Sequence, residues 1–164
     1  MRIFRILSLC LLVACCVTIF CFSSQNSQTS SDTSGGITKV AISIVYPNFS
    51  ELPKEQQEII IHNTTFVIRK TAHFSIFLLL GVFSYMTIVS YNYPRKPYKL
   101  AFSSVFCLLY AISDEVHQMF VPGRSGEVRD VCIDFLGALC GIFLCFALFN
   151  HLKFLKRFIG GKYA

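Results

Sequence analysis

Charge is what this sequence has least of. Charged side chains make up 15% of its 164 residues, against roughly a quarter in ordinary soluble domains, so a water-soluble globular domain is excluded. The chain has no CxxC and no Cys/His pair at metal-ligand spacing. Its eight cysteines (Cys10, Cys15, Cys16, Cys21, Cys107, Cys132, Cys140 and Cys145) all fall inside apolar runs. They therefore read as small apolar residues rather than a redox or disulfide framework. No A-x-A cleavage site precedes Ser23, and the first apolar run continues past Cys15 to Phe22. Both absences argue for an uncleaved anchor over a signal peptide or a processed lipoprotein. The net charge of +6 is compatible with nucleic acid, but the basic residues stand in short clusters beside apolar runs, as membrane proteins place them. No nucleic-acid partner is expected, and the expected contacts are with membrane lipids.

What the chain does have is long apolar runs. A membrane span needs about 20 mostly apolar residues, and four segments qualify: residues 3–22, 71–91, 100–120 and 131–150. The fold class expected is all-α, a polytopic membrane protein of four transmembrane helices with a small extracytoplasmic segment between helices 1 and 2. Four parts follow: an anchor (1–22), an extracytoplasmic linker with a short helix (23–68), a three-helix core (69–150) and a basic tail (151–164). Residues 23–36, rich in Ser, Thr, Gln and Asn, read as a flexible linker. The β-branched stretch 37–46 reads as a strand or a membrane-surface segment. Pro53, with Ser50 before it, marks a helix start in the first turn, and that helix runs through Ile61 towards the second span. The segment from Ile37 to Ile61 is in position to act as a lid.

One side of the membrane would carry Arg2, Arg5, Arg95, Lys96, Lys99, Lys153, Lys156, Arg157 and Lys162 with no acid. All nine acids fall on the other side. The positive-inside rule then puts both termini in the cytoplasm.

Ionisable groups within spans are expensive in hydrocarbon and mark function by default. Here they gather at the outer end of three spans. Arg69, Lys70 and His73 open the second, with Arg69 and His73 four apart on one face. Asp114, His117 and Gln118 share a face of the third, with Glu115 one step around. Asp130 and Asp134 are four apart in the fourth, and a Pro122-Gly123 turn presents Arg124. Gly137 and Gly141 form a small-xxx-small ridge for close packing below, and Gly81 is a candidate for the same use. The bland alternatives are helix-end anchors (Arg69, Lys70), surface ion pairs (Asp130 with Arg129 or Arg124), Asp114 and Glu115 paired with Arg69 and Lys70 solely to hold the helices together, a hydrogen-bonded interior His73, and a purely structural network.

The pattern Arg69-Lys70-x-x-His73-Phe74, Asp114-Glu115-x-His117-Gln118, Pro122-Gly123-Arg124 and Asp130-Val131 with Asp134 and Gly137 resembles the VanZ-like membrane proteins. So does Phe22-Ser23-Ser24-Gln25 after the first span. The resemblance runs from about residue 3 to 150. It implies a bacterial plasma-membrane protein, and some members are associated with low-level resistance to the glycopeptide teicoplanin. It supplies no mechanism. Asp134 departs from the many members that have Asn there, adding a negative charge. Ser75-Ile76-Phe77 stands where several have a Glu-Tyr pair.

Three functions follow from the constellation. In the first, Arg69, Lys70 and Arg124, with Gln118, Asp130 and Asp134, recognise an anionic lipid-linked cell-envelope molecule such as a cell-wall precursor, since Arg forks and Lys point charges suit phosphate. In the second, a membrane-embedded hydrolase or transferase uses Asp114, Glu115, His117 and His73 as acids and bases. No G-x-S-x-G surrounds Ser125, so no nucleophile is assigned. In the third and weakest, His73, Asp114 or Glu115, and His117 bind zinc, against repulsion from Arg69 and Lys70. No cofactor is expected. A transporter is disfavoured, because the inner half offers no polar path and no inverted repeat is visible.

Overall fold

In the computed structural model, which describes residues 2–91 and 96–151, the chain folds into five α-helices: α1 (Arg2–Ser23), α2 (Ser27–Val45), α3 (Lys54–Ser90), α4 (Lys96–Gln118) and α5 (Val128–His151). No strand occurs among the described residues. Four helices, α1, α3, α4 and α5, are long and apolar enough to cross a membrane. Of the bases that set the expected orientation, Arg95, Lys153, Lys156, Arg157 and Lys162 lie outside the described residues.

The α3–α5 pair is the most extensive contact. Its basis is a helical-period stripe on each partner. Phe77, Leu80, Gly81, Ser84 and Tyr85 are buried on α3; Asp134, Gly137, Ala138, Gly141, Ile142 and Cys145 are buried on α5. The small residues set the separation. A Cβ at Gly137 would collide with the Phe74 carbonyl, at Gly141 with the Leu78 carbonyl, and at Gly81 with the Ala138 carbonyl. All three glycines thus serve the close approach that small-residue ridges allow in membranes. Outside this core, Val105, Leu109, Leu136 and Phe143 are exposed, as expected of side chains whose solvent is lipid. All eight cysteines are free thiols.

The helix α3 has 37 residues, about 55 Å at 1.5 Å per residue, against a hydrocarbon core of about 30 Å. Residues 71–90 suffice to span it. The N-terminal part of α3 must therefore project or tilt. Two helices run antiparallel to it in succession. The first is α1: Arg5 Nε donates to the Ser90 carbonyl at 2.7 Å, and the Cys15 thiol reaches the Ile76 carbonyl. Further out, α2 takes over, with Thr38 and Thr65 hydroxyls 3.3 Å apart.

The stretch 23–46 is thus neither linker nor strand. Asn26 caps α2 by accepting from the Thr29 amide at 2.8 Å, a strong N-terminal signal. Ser34 and Thr38 bond back to carbonyls four residues earlier, so their hydroxyls do not compete with the helix. Ile42 is buried, and Pro47 follows where the helix ends, because the residue before a proline is disfavoured in α conformation. Pro53 sits just ahead of α3 rather than in its first turn, and α3 runs unbroken through Ile61 into the second span.

Candidate functional site

The break between α1 and α2 falls at residues 24–26, beside the end of the core that carries Asp114 and Arg124. Ser23 donates to Asp114 Oδ2 at 2.9 Å, a buried bond. The Phe22 carbonyl, which also takes the Gln25 amide, accepts from Arg124 at 3.3 Å.

The loop between α4 and α5 is built for Arg124. The Arg124 amide donates to the Val121 carbonyl at 3.1 Å, closing a four-residue turn with Pro122 second and Gly123 third. Gly123 has φ 75°, the conformation that a type II turn demands and that glycine adopts without cost. From there the guanidinium donates to Gln118 Oε1 at 3.0 Å. Gln118 passes its amide hydrogens to Asp114 Oδ2 at 2.9 Å and Glu115 Oε1 at 3.3 Å. Glu115 Oε2 accepts the Glu127 amide at 2.9 Å. Asp114, Glu115 and Gln118 are all buried, and every bond just named pays back part of their desolvation.

A second group joins α3 to α5. Lys70 pairs with Asp130, which lies in the first turn of α5, where the helix dipole favours a carboxylate. His73 Nδ1 stands 3.6 Å from Asp134 Oδ2. The Phe66 ring lies under both Lys70, at 5.2 Å, and Arg129, at 5.4 Å, within cation–π range. Arg129 pairs with Glu127 rather than Asp130.

Between the groups is a cavity of about 190 Å³, lined by Arg69, Lys70, His73, Gln118, Arg124, Ser125, Asp130 and Asp134 among others. Beside it runs a slot of about 360 Å³, mostly apolar, whose walls include Phe22 of α1, Ile37 of α2 and Ile68, Ile76 and Leu79 of α3. Arg69, His73 and Arg124 line both. From the 37–61 segment, Ile37 forms part of the slot's wall, and no residue of that segment lines the polar cavity.

Of the sequence candidates, Arg69, Lys70, His73, Gln118, Arg124, Asp130 and Asp134 meet at the cavity. Asp114 and Glu115 support it from behind through Gln118. His117 does not line it: its ring stacks on Phe20 with centroids 4.7 Å apart, and Nε2 lies 3.1 Å from the Ser24 hydroxyl. Two positions to which sequence reasoning gave no site role are Ser23, quoted only within the family pattern, and Phe66. The signal for Ser23 was its place at the end of a span at the depth of the charges. For Phe66 it was the four-residue spacing to Lys70.

The cations are unequally satisfied. Arg124 Nε is buried without a partner. Burial first, then the nearby Arg69, pushes the Arg124 guanidinium below its usual range, opposed by Asp114 and Glu115.

Fold and site together define a multi-pass helical membrane protein with a polar cavity at one end of its core. A family model described as VanZ/LLP1 matches residues 7–150. The chain belongs to the VanZ/LLP1 family, a family linked to glycopeptide resistance. No curated protein and no solved structure matches it.

Proposed function

We propose that this protein recognises an anionic, lipid-linked cell-envelope molecule at the outer leaflet of a bacterial plasma membrane, both chain termini lying in the cytoplasm. The observation that carries this reading is the shared wall: Arg69, His73 and Arg124 face a polar cavity on one side and an apolar slot on the other. A phosphate head belongs in the first and a hydrocarbon chain in the second. Size supports the pairing. The polar cavity, at about 190 Å³, is smaller than the roughly 300–1,000 Å³ of ordinary ligand sites, so a ligand seated there has the adjoining slot of about 360 Å³ to extend into.

Charge supports it too. Lys70 is neutralised by Asp130, but among the described residues Arg124 donates hydrogen bonds only to neutral acceptors, Gln118 and the Phe22 carbonyl. An anion between Arg69 and Arg124 would relieve their mutual repulsion and occupy the unpartnered Nε. Sequestering such a molecule would limit a glycopeptide's access to its target, in keeping with the family's link to resistance to drugs such as teicoplanin.

The test is binding of a polyprenyl phosphate to the chain in nanodiscs of neutral lipid. Binding should fall at least about tenfold in Arg124→Gln and in Arg69→Gln, and the corresponding polyprenyl alcohol should not compete. Equal affinity for phosphate and alcohol would overturn the reading. Release of inorganic phosphate or a shortened lipid would instead favour the membrane-embedded hydrolase or transferase.

A further inference from the structure

Three helices each aim one metal-competent side chain at a common point. His73 comes from α3, Asp114 from α4 and Asp134 from α5, and one ligand atom of each lies within 4.8 Å of the other two. Around a shared ion at about 2.0–2.2 Å, ligand atoms stand roughly 3–4 Å apart, so a small inward adjustment completes the set. Helix bundles build metal sites in this way, from side chains on facing helices.

A second observation is a buried carboxylate oxygen left without a hydrogen bond. Asp134 is 1% exposed, and its Oδ2 has no hydrogen bond. His73 Nδ1 stands 3.6 Å away, an ion pair when the imidazole is protonated but beyond hydrogen-bond range. A carboxylate oxygen so placed is costly unless it is paired or bound to a metal. Asp114 is differently prepared. Its Oδ2 is held by Ser23 and Gln118, which leaves Oδ1 to coordinate, the outer-shell arrangement that orients ligating carboxylates.

The balance of charge agrees. No lysine or arginine among the described residues forms an ion pair with Asp114, Glu115 or Asp134. The repulsion expected from Lys70 is met by its pairing with Asp130. His117, a ligand candidate on spacing alone, is turned away onto Phe20, and Asp134 takes its place.

We propose that His73, Asp114 and Asp134 bind one divalent first-row metal ion, of which Mn²⁺ and Zn²⁺ suit one imidazole and two carboxylates. The site does not depend on the lipid reading above and is measured without any lipid ligand.

The experiment is equilibrium dialysis of the purified chain in detergent against Mn²⁺ or Zn²⁺ alone, followed by elemental analysis. About one ion per chain is expected, retained by His117→Ala and weakened at least about tenfold by Asp134→Asn. A variant that misfolds would lose the ion for an uninteresting reason, so the unaltered protein supplies a second readout. Pulsed electron paramagnetic resonance of its bound Mn²⁺ should show an imidazole nitrogen coupling that changes on ¹⁵N-histidine labelling and survives in His117→Ala. Failure of the unaltered protein to retain an ion, an ion without nitrogen coupling, or undiminished retention by a folded Asp134→Asn would each overturn the proposal.

Discussion

The Ser23 hydroxyl donates to Asp114 Oδ2 across 2.9 Å, a buried bond between residues 91 positions apart. It joins the last residue of α1 to the last turn of α4 and holds the carboxylate that Gln118 also reaches. A buried acceptor that loses a donor costs about 1–3 kcal/mol. Ser23→Ala should therefore lower the thermal unfolding midpoint in detergent clearly. Ser24→Ala, which removes an exposed contact to His117, should leave it nearly unchanged. Equal shifts would refute the view that Asp114 depends on Ser23.

The crossing of α3 and α5 predicts a contrast among glycines. At Gly141 an added methyl runs into the Leu78 carbonyl, which is backbone and cannot swing aside. At Gly35, in α2, nothing lies within 4 Å. Gly141→Ala should destabilise by roughly 1–3 kcal/mol or more through overpacking. Gly35→Ala should be neutral, or stabilise by up to about 1 kcal/mol through helix propensity. Unfolding in mixed detergent micelles measures both.

Lys70 and Asp130 invite a double-mutant cycle. Their side chains are 25% and 14% exposed, so solvent screens them partly, and the penalty for orphaning one charge lies below the 3–5 kcal/mol of fully buried pairs. Lys70→Met alone leaves Asp130 facing Asp134 and the rest of the acidic group; Asp130→Asn alone leaves an unpaired ammonium. Each single change should cost about 1–3 kcal/mol, and the double variant less than the two costs combined. Strict additivity would show that the pair contributes nothing.

The depth of the polar groups could be read from the chain because hydrocarbon makes charge conspicuous: Arg69, Asp114 and Asp134 stand out against apolar neighbours. Gly137 and Gly141 were legible for the same reason, as small residues four apart with no polar task. Partner choice was not. Whether Lys70 meets Asp130 or Asp114 depends on the rotation of α3 against α5, which the glycine contacts set and no local pattern reveals. The helix α2 was missed because Ser, Thr and Gly dominate its first half, and intrinsic preference there says linker. Its Asn26 cap and the packing of Ile42 and Thr38 on α3 override that preference. Ser23 was visible only as part of the family pattern and gained no role, because an uncharged hydroxyl beside such a stretch looks like part of it.

His117 and His73 were alike as candidate acid–base groups, and the structure separates them. His73 lines the polar cavity and stands beside Asp134, whereas His117 stacks on Phe20 and touches Ser24. A ring pair of this kind is worth about 0.5–1.5 kcal/mol beyond burial. His117→Ala should therefore lower stability by about that amount while leaving polyprenyl phosphate affinity within about twofold. His73→Ala should weaken that affinity, since the imidazole is part of the wall between cavity and slot. Affinity measured in nanodiscs and unfolding measured in detergent separate the two effects. Loss of binding in His117→Ala at full stability would mean that the ligand reaches the α1–α4 face instead, and the shared-wall reading would fail with it.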